Sequence, residues 1–77
     1  MAKPVLYAVP KFWCGEPDPC DFCCRPFTTR FTDGRTSSGQ WGNACVPCAA
    51  RQGMSLGMGR GQQYDKQEDG RWLKTGG

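Results

Sequence analysis

The chain has 77 residues, with six cysteines, eleven glycines, six prolines, no histidine and a formal charge of +3. A chain this short makes one domain, and ten Leu, Val and Phe residues without a single Ile are too few for a core that stands unaided. The missing imidazole removes the commonest general acid/base and every Ser-His-Asp or Cys-His arrangement, so no enzyme is expected.

Residues 1–13 (MAKPVLYAVPKFW) form an expected extended arm, because Pro4 and Pro10 forbid a helix across it. Its longest apolar run, Val5 to Val9, is far short of the roughly 20 residues that span a bilayer. No apolar segment followed by a small-residue cleavage site occurs at the N-terminus, so no signal peptide is expected and the chain is assigned to a reducing cytoplasm. Val5, Leu6, Tyr7, Val9, Phe12 and Trp13 have two readings: packing over the domain's own core, or contact with a partner.

Residues 14–26 (CGEPDPCDFCCRP) are rich in turn formers and hold four of the six cysteines. Phe27–Thr32 is β-branched and aromatic, a strand signal, and Asp33-Gly34 after it predicts a hairpin turn, with 35–44 as the return strand or a loop leading into it. Ala49–Gln52 suffices for one or two helical turns, stopped by Gly53. Residues 62–67 and 71–75 flank Glu68-Asp69-Gly70, a second hairpin signal with Tyr64 and Trp72 as cross-strand aromatics.

The strongest signal is Cys20-Asp-Phe-Cys23 and Cys45-Val-Pro-Cys48, two C-x2-C pairs separated by 21 residues. One C-x2-C turn sets two sulfurs on one edge of a metal's tetrahedron, and a hairpin between the pairs brings the second edge to it. A cytosolic chain favours metal ligands over disulfides, and nothing beyond the cysteines speaks for an iron–sulfur cluster. Cys20, Cys23, Cys45 and Cys48 are therefore the candidate ligands of a structural Zn²⁺, which leaves no open position for substrate and makes metal binding part of folding. Four thiolates and one Zn²⁺ leave the site at −2 and lower the domain to +1. That weakens the electrostatic case for nucleic acid. Cys14 and Cys24 remain as free thiols, one of them partly buried, or as a disulfide, with Cys14 also a rival for the place of Cys20.

Gly53, Gly57, Gly59 and Gly61 do not make a phosphate loop, since Gly-Lys-Ser/Thr is missing. Interleaved with Met54, Leu56 and Met58, they mark backbone lying close to another surface, either the domain's own zinc knuckle or a partner. Trp41, Tyr64 and Trp72 lie near Arg and Lys, as base-stacking residues do. A domain so poor in aliphatics nevertheless needs them for its core.

The stretch FTDGRTSSGQWGNACVPC, followed by GMSLGMGRGQQYDKQEDGRWLKTGG, resembles a group of small zinc-ribbon-like proteins of tailed bacteriophages. Those proteins carry an upstream C-x2-C, an F-x-D-G-x-T-x-x-G-x-W hairpin, a second C-x2-C, a G-x-G-x-G-Q-x-Y segment and a terminal D-G-R-W. The resemblance covers about residues 20–77, and Cys24 stands where such proteins have Gly. It implies a zinc ribbon and a phage origin.

The expected fold is a small metal-stabilised β domain: a four-cysteine zinc ribbon over 14–77 with two β-hairpins, at most one short helix, and an extended arm over 1–13. The expected role is that of a structural or interaction protein, a virion component made in the host cytoplasm, either a capsid decoration or a minor head–tail protein. Its partners would be the protein subunits of that assembly, met through the arm and through Met54, Leu56 and Met58, with no membrane contact. The alternative is a zinc ribbon that binds nucleic acid or RNA polymerase, which needs Arg25, Arg30, Arg35, Arg51, Arg60 and Lys74 on one face.

Overall fold

The computed structural model describes residues 10–77. Within them, four strands and one helix follow in the order β1 (Arg30–Arg35), β2 (Trp41–Ala44), α1 (Val46–Arg51), β3 (Gly61–Lys66) and β4 (Trp72–Gly76). The strands form one sheet in the order β2-β1-β3-β4, antiparallel throughout. This is the small β fold with one short helix that the cysteine spacing and hairpin signals predict. Among the described residues, no helix is long and apolar enough to cross a membrane.

The first hairpin turns later than Asp33-Gly34 suggests. Asp33 pairs with Asn43 and Gly34 with Gly42, so both lie within β1. The turn is made by Thr36–Gly39. Thr36 N donates to Gln40 O at 2.8 Å, Gly39 N donates to Thr36 O, and Gly39 takes φ +96°. Thr36 Oγ1 also accepts from Gln40 N at 3.1 Å, a local side-chain bond that competes well with continued strand. Gly34 is needed instead as a flat spot: it pairs with Gly61 of β3, and a Cβ on Gly34 would lie 3.2 Å from Arg60 O. The second hairpin turns where expected, closed by Gln67 N to Arg71 O at 2.7 Å, with Gly70 at φ +89°.

Two small cores lie on the sheet. Phe31 is fully buried and meets four rings: Phe27 stacked at 4.7 Å, Tyr64 stacked at 5.1 Å, and Trp13 and Trp72 edge-on at 5.2 and 5.3 Å. Offset and T-shaped pairs of this kind contribute beyond their buried area, which suits a chain with few aliphatics. Tyr64 and Trp72 are not direct cross-strand partners, being paired with Lys74 and Lys66, but both close on Phe31. The second core is Cys20, Ala44 and Cys48, ringed by Phe22, Cys23, Phe27, Cys45, Ala49 and Met54.

The described end of the predicted arm belongs to this sheet. Lys74 N donates to Lys11 O at 2.7 Å, Trp13 N donates to Trp72 O at 2.9 Å, and Phe12 bridges Leu73. Residues 11–13 thus cover the outer edge of β4, which would otherwise offer unpaired backbone groups. Val5, Leu6, Tyr7 and Val9 lie outside the described residues.

Candidate metal centre

The two C-x2-C pairs meet as their spacing predicts. Cys20, Cys23, Cys45 and Cys48 bring their Sγ atoms within 4.8 Å of one another, with Cys23 and Cys45 at 3.7 Å. Sulfurs bound at about 2.3 Å around one tetrahedral Zn²⁺ stand about 3.8 Å apart, so the cluster is sized for a metal such as zinc.

Each pair is built differently. The first is a turn between proline-rich segments, with Cys20 N donating to Arg25 O and Cys24 N to Cys20 O, both at 2.9 Å. Phe22 N points at Cys20 Sγ at 3.4 Å. To close this turn Cys24 adopts φ +66°, the one non-glycine residue with positive φ among the described residues. The second pair opens α1. Cys45 is its N-cap, Pro47 occupies the first turn, where its missing N–H costs nothing, and Gly53 at φ +71° ends it.

Strand β2 joins the pairs. Asp21 N donates to Asn43 O at 2.9 Å, and Asp21 Oδ2 accepts from Asn43 N at 2.7 Å. Gly42 leaves room for the Phe22 ring, since a Cβ there would lie 3.1 Å from its tip. Ala44 is fully buried beneath the sulfurs. Cys45 N then reaches Cys20 Sγ at 3.4 Å, across from one pair to the other.

The electrostatics ask for a cation. Burial opposes ionisation of Cys20, but the amides of Cys45, Phe22 and Cys23 outweigh it and bring this thiol down to about 6. Burial, hydrogen bonds to the other three sulfurs and the negative charge of Cys20 push Cys48 up to about 12. Cys20 and Cys48 are thus driven in opposite directions, and a divalent ion held between them would relieve that conflict by deprotonating its ligands outright. Arg51 adds a second positive group, its guanidinium 3.2 Å from Cys48 Sγ.

Asp21 and Arg51 support the cluster without being among the residues the sequence singles out for it. For Arg51 a signal existed, since three residues after Cys48 in a helix is one turn away. For Asp21 only the fold shows the partner. Cys14 and Cys24 are free, exposed thiols outside the cluster, and neither is the partly buried one expected. Of the candidate partner contacts, Trp13 packs on Phe31 and Tyr64, and Met54 packs on the cysteine core. Phe12, Leu56 and Met58 are exposed, Phe12 beneath the Arg71 guanidinium at 4.1 Å. The glycine segment touches both: Gly61 lies against Gly34 of β1, while Met54 of the same segment packs on the knuckle.

Comparison of the chain with protein-family models, with curated proteins and with solved structures returns no match.

Proposed function

We propose that the chain is a zinc-stabilised interaction protein, a small virion component of a tailed bacteriophage that acts as a capsid decoration or minor head–tail protein. The observation that carries this reading is the closed cluster of four sulfurs. A metal with four cysteine ligands has no position left for water or substrate, so it serves the fold. What such a fold then offers is its surface. Trp41, expected in the core, is instead 49% exposed, Val46 53% and Met58 94%, side chains that a protein partner covers with gain. The phage assignment rests on the ordered hairpin, cysteine and glycine motifs of residues 20–77.

A nucleic-acid role draws less support. Of the six cations it needs on one face, Arg30 is tied to Asp65 at 2.6 Å and Arg51 is spent on Cys48.

Two measurements test the proposal. Metal analysis should find one zinc per chain. Cys45→Ser should lose both metal and cooperative unfolding, whereas Cys14→Ser should keep both. Equal, stoichiometric zinc in the two variants contradicts the ligand set. Quantitative mass spectrometry of gradient-purified particles should find the chain at a fixed copy number per virion. Abundance in infected cells with absence from particles ends the virion reading.

A further inference from the structure

Away from the cysteines, at the turn end of the β1–β2 hairpin, the surface folds into an open-sided cleft of about 300 Å³. It is lined by Arg35 and Arg60 with the hydroxyl residues Thr36, Ser37, Ser38 and Ser55. Among the described residues, no acidic and no large apolar residue lines it. We propose that this cleft binds a phosphate group, with the two guanidinium groups supplying charge and the exposed serine hydroxyls further donors. This inference goes beyond the virion reading and does not depend on it.

Three observations carry it. First, the arginines are uncompensated. Among the described residues, Arg30 and Arg71 each pair with a carboxylate, while Arg35 and Arg60 pair with none. Second, the fold forces them together. Arg35 N donates to Arg60 O at 2.8 Å, which holds two like charges on neighbouring backbone. An anion beside this cross-strand pair would meet both charges, and a guanidinium fork matches phosphate oxygens in pairs.

Third, the walls are set in advance. Arg60 sits in a tight loop in which Gly57 N donates to Gly61 O and Gly61 N to Gly57 O, at 2.9 and 3.0 Å. Gly57, at φ +140°, has no side chain, and a Cβ there would collide with the Arg60 guanidinium. On the facing wall, Ser37 N is anchored to Gln52 O at 2.8 Å and Ser38 Oγ lies 3.0 Å from Thr36 Oγ1. Backbone held on both walls before the ligand arrives lowers the ordering cost of binding. Two forks plus several hydroxyls outnumber what a two-oxygen carboxylate can accept and suit the oxygens of a tetrahedral anion.

The test uses the full chain loaded with zinc and two probes: inorganic phosphate and a short single-stranded oligodeoxynucleotide. Saturable amide NMR shifts confined to Ser37–Gly39 and Ser55–Gly61 are expected with at least one probe. Arg35→Gln and Arg60→Gln should each weaken binding roughly tenfold, while Arg71→Gln, at the other hairpin turn, should leave it unchanged. Binding of inorganic phosphate as tight as that of the oligonucleotide identifies a small phosphate ligand. Tighter, steeply salt-dependent binding of the oligonucleotide identifies a nucleic-acid backbone. Absence of saturable shifts in the cleft with both probes overturns the proposal, as does equal weakening by Arg71→Gln. The shift mapping on the unsubstituted protein decides the matter even where a variant fails to fold.

Discussion

Cys24 is held in the left-handed region at φ +66° so that the first knuckle can close, and its thiol is exposed and bonded to nothing. An L-residue with a Cβ has to be forced into that conformation, at a cost of about 1–2 kcal/mol, and glycine is not. Cys24→Gly should therefore keep one metal per chain and raise stability by about 1 kcal/mol, read from denaturant midpoints of the metal-loaded protein. A loss of metal would instead make Cys24 a ligand. Arg51 acts on the cluster without binding the ion. With a divalent ion on four thiolates, its guanidinium at Cys48 Sγ would offset part of the −2 charge left behind. Groups in this outer position typically matter by a factor of ten or more in metal affinity. Arg51→Gln should accordingly weaken zinc binding roughly tenfold in a competition assay with a chelating dye, with stoichiometry unchanged.

The elements depend on close backbone approach as much as on side chains. Gly34 and Gly61 face each other where β1 passes β3. A Cβ on Gly61 would lie 2.7 Å from Ser55 O and 3.3 Å from Gly34 Cα, and backbone atoms cannot swing aside as a flexible side chain does. Gly61→Ala should destabilise the protein by about 1–3 kcal/mol and loosen the 57–61 loop, seen as faster amide exchange at Gly57 and Arg60. Unchanged exchange there would mean the loop is held from elsewhere. The glycine alternation was readable in the sequence as a close approach. That Gly61 approaches Gly34 of β1, while Met54 reaches the knuckle, follows from the β1–β3 register, which no local pattern encodes. The same competition explains the shifted first turn. Asp33-Gly34 has turn propensity, but pairing on both sides of β1 holds it extended, and the Thr36 hydroxyl closes a turn further on.

At the scale of the whole molecule, two small cores share one sheet, and neither is large. The aromatic core centres on Phe31 and the other on four cysteines whose sulfurs lie within 4.8 Å of one another, sized for a metal. Removing zinc with a chelator should thus abolish cooperative unfolding and near-ultraviolet dichroism, not merely lower the midpoint. The pH dependence has a definite sign. Protons and metal compete for the sulfurs, so stability falls as pH falls, and metal release and loss of structure should follow one curve when dye binding and circular dichroism are recorded together. Asp65 adds the same sign in a lower window. The hydrogen bond from Arg30 holds its carboxyl below the usual range, against the opposing effect of burial and with help from Thr75. Its contribution is therefore full above an unfolded value of about 4 and is lost as pH falls through its folded value. Metal release that trails unfolding in acid would show the sheet, and not the cluster, to be the weaker part.

The cysteine cluster was legible in the sequence because C-x2-C is a local constraint: two sulfurs three residues apart share one metal whatever surrounds them. The second hairpin was legible for the same reason, since Glu68-Asp69-Gly70 sets a turn from its own backbone preferences. The scarcity of aliphatics likewise required a staple before any strand was placed. Tertiary structure alone decided what depends on residues far apart in the chain. It gave the aromatic rings to Phe31, clamped Asp21 to Asn43, laid residues 11–13 along β4, and set Arg35 beside Arg60 without a carboxylate between them. Those pairings follow from strand order and register, which many distant contacts fix jointly and no short stretch specifies alone.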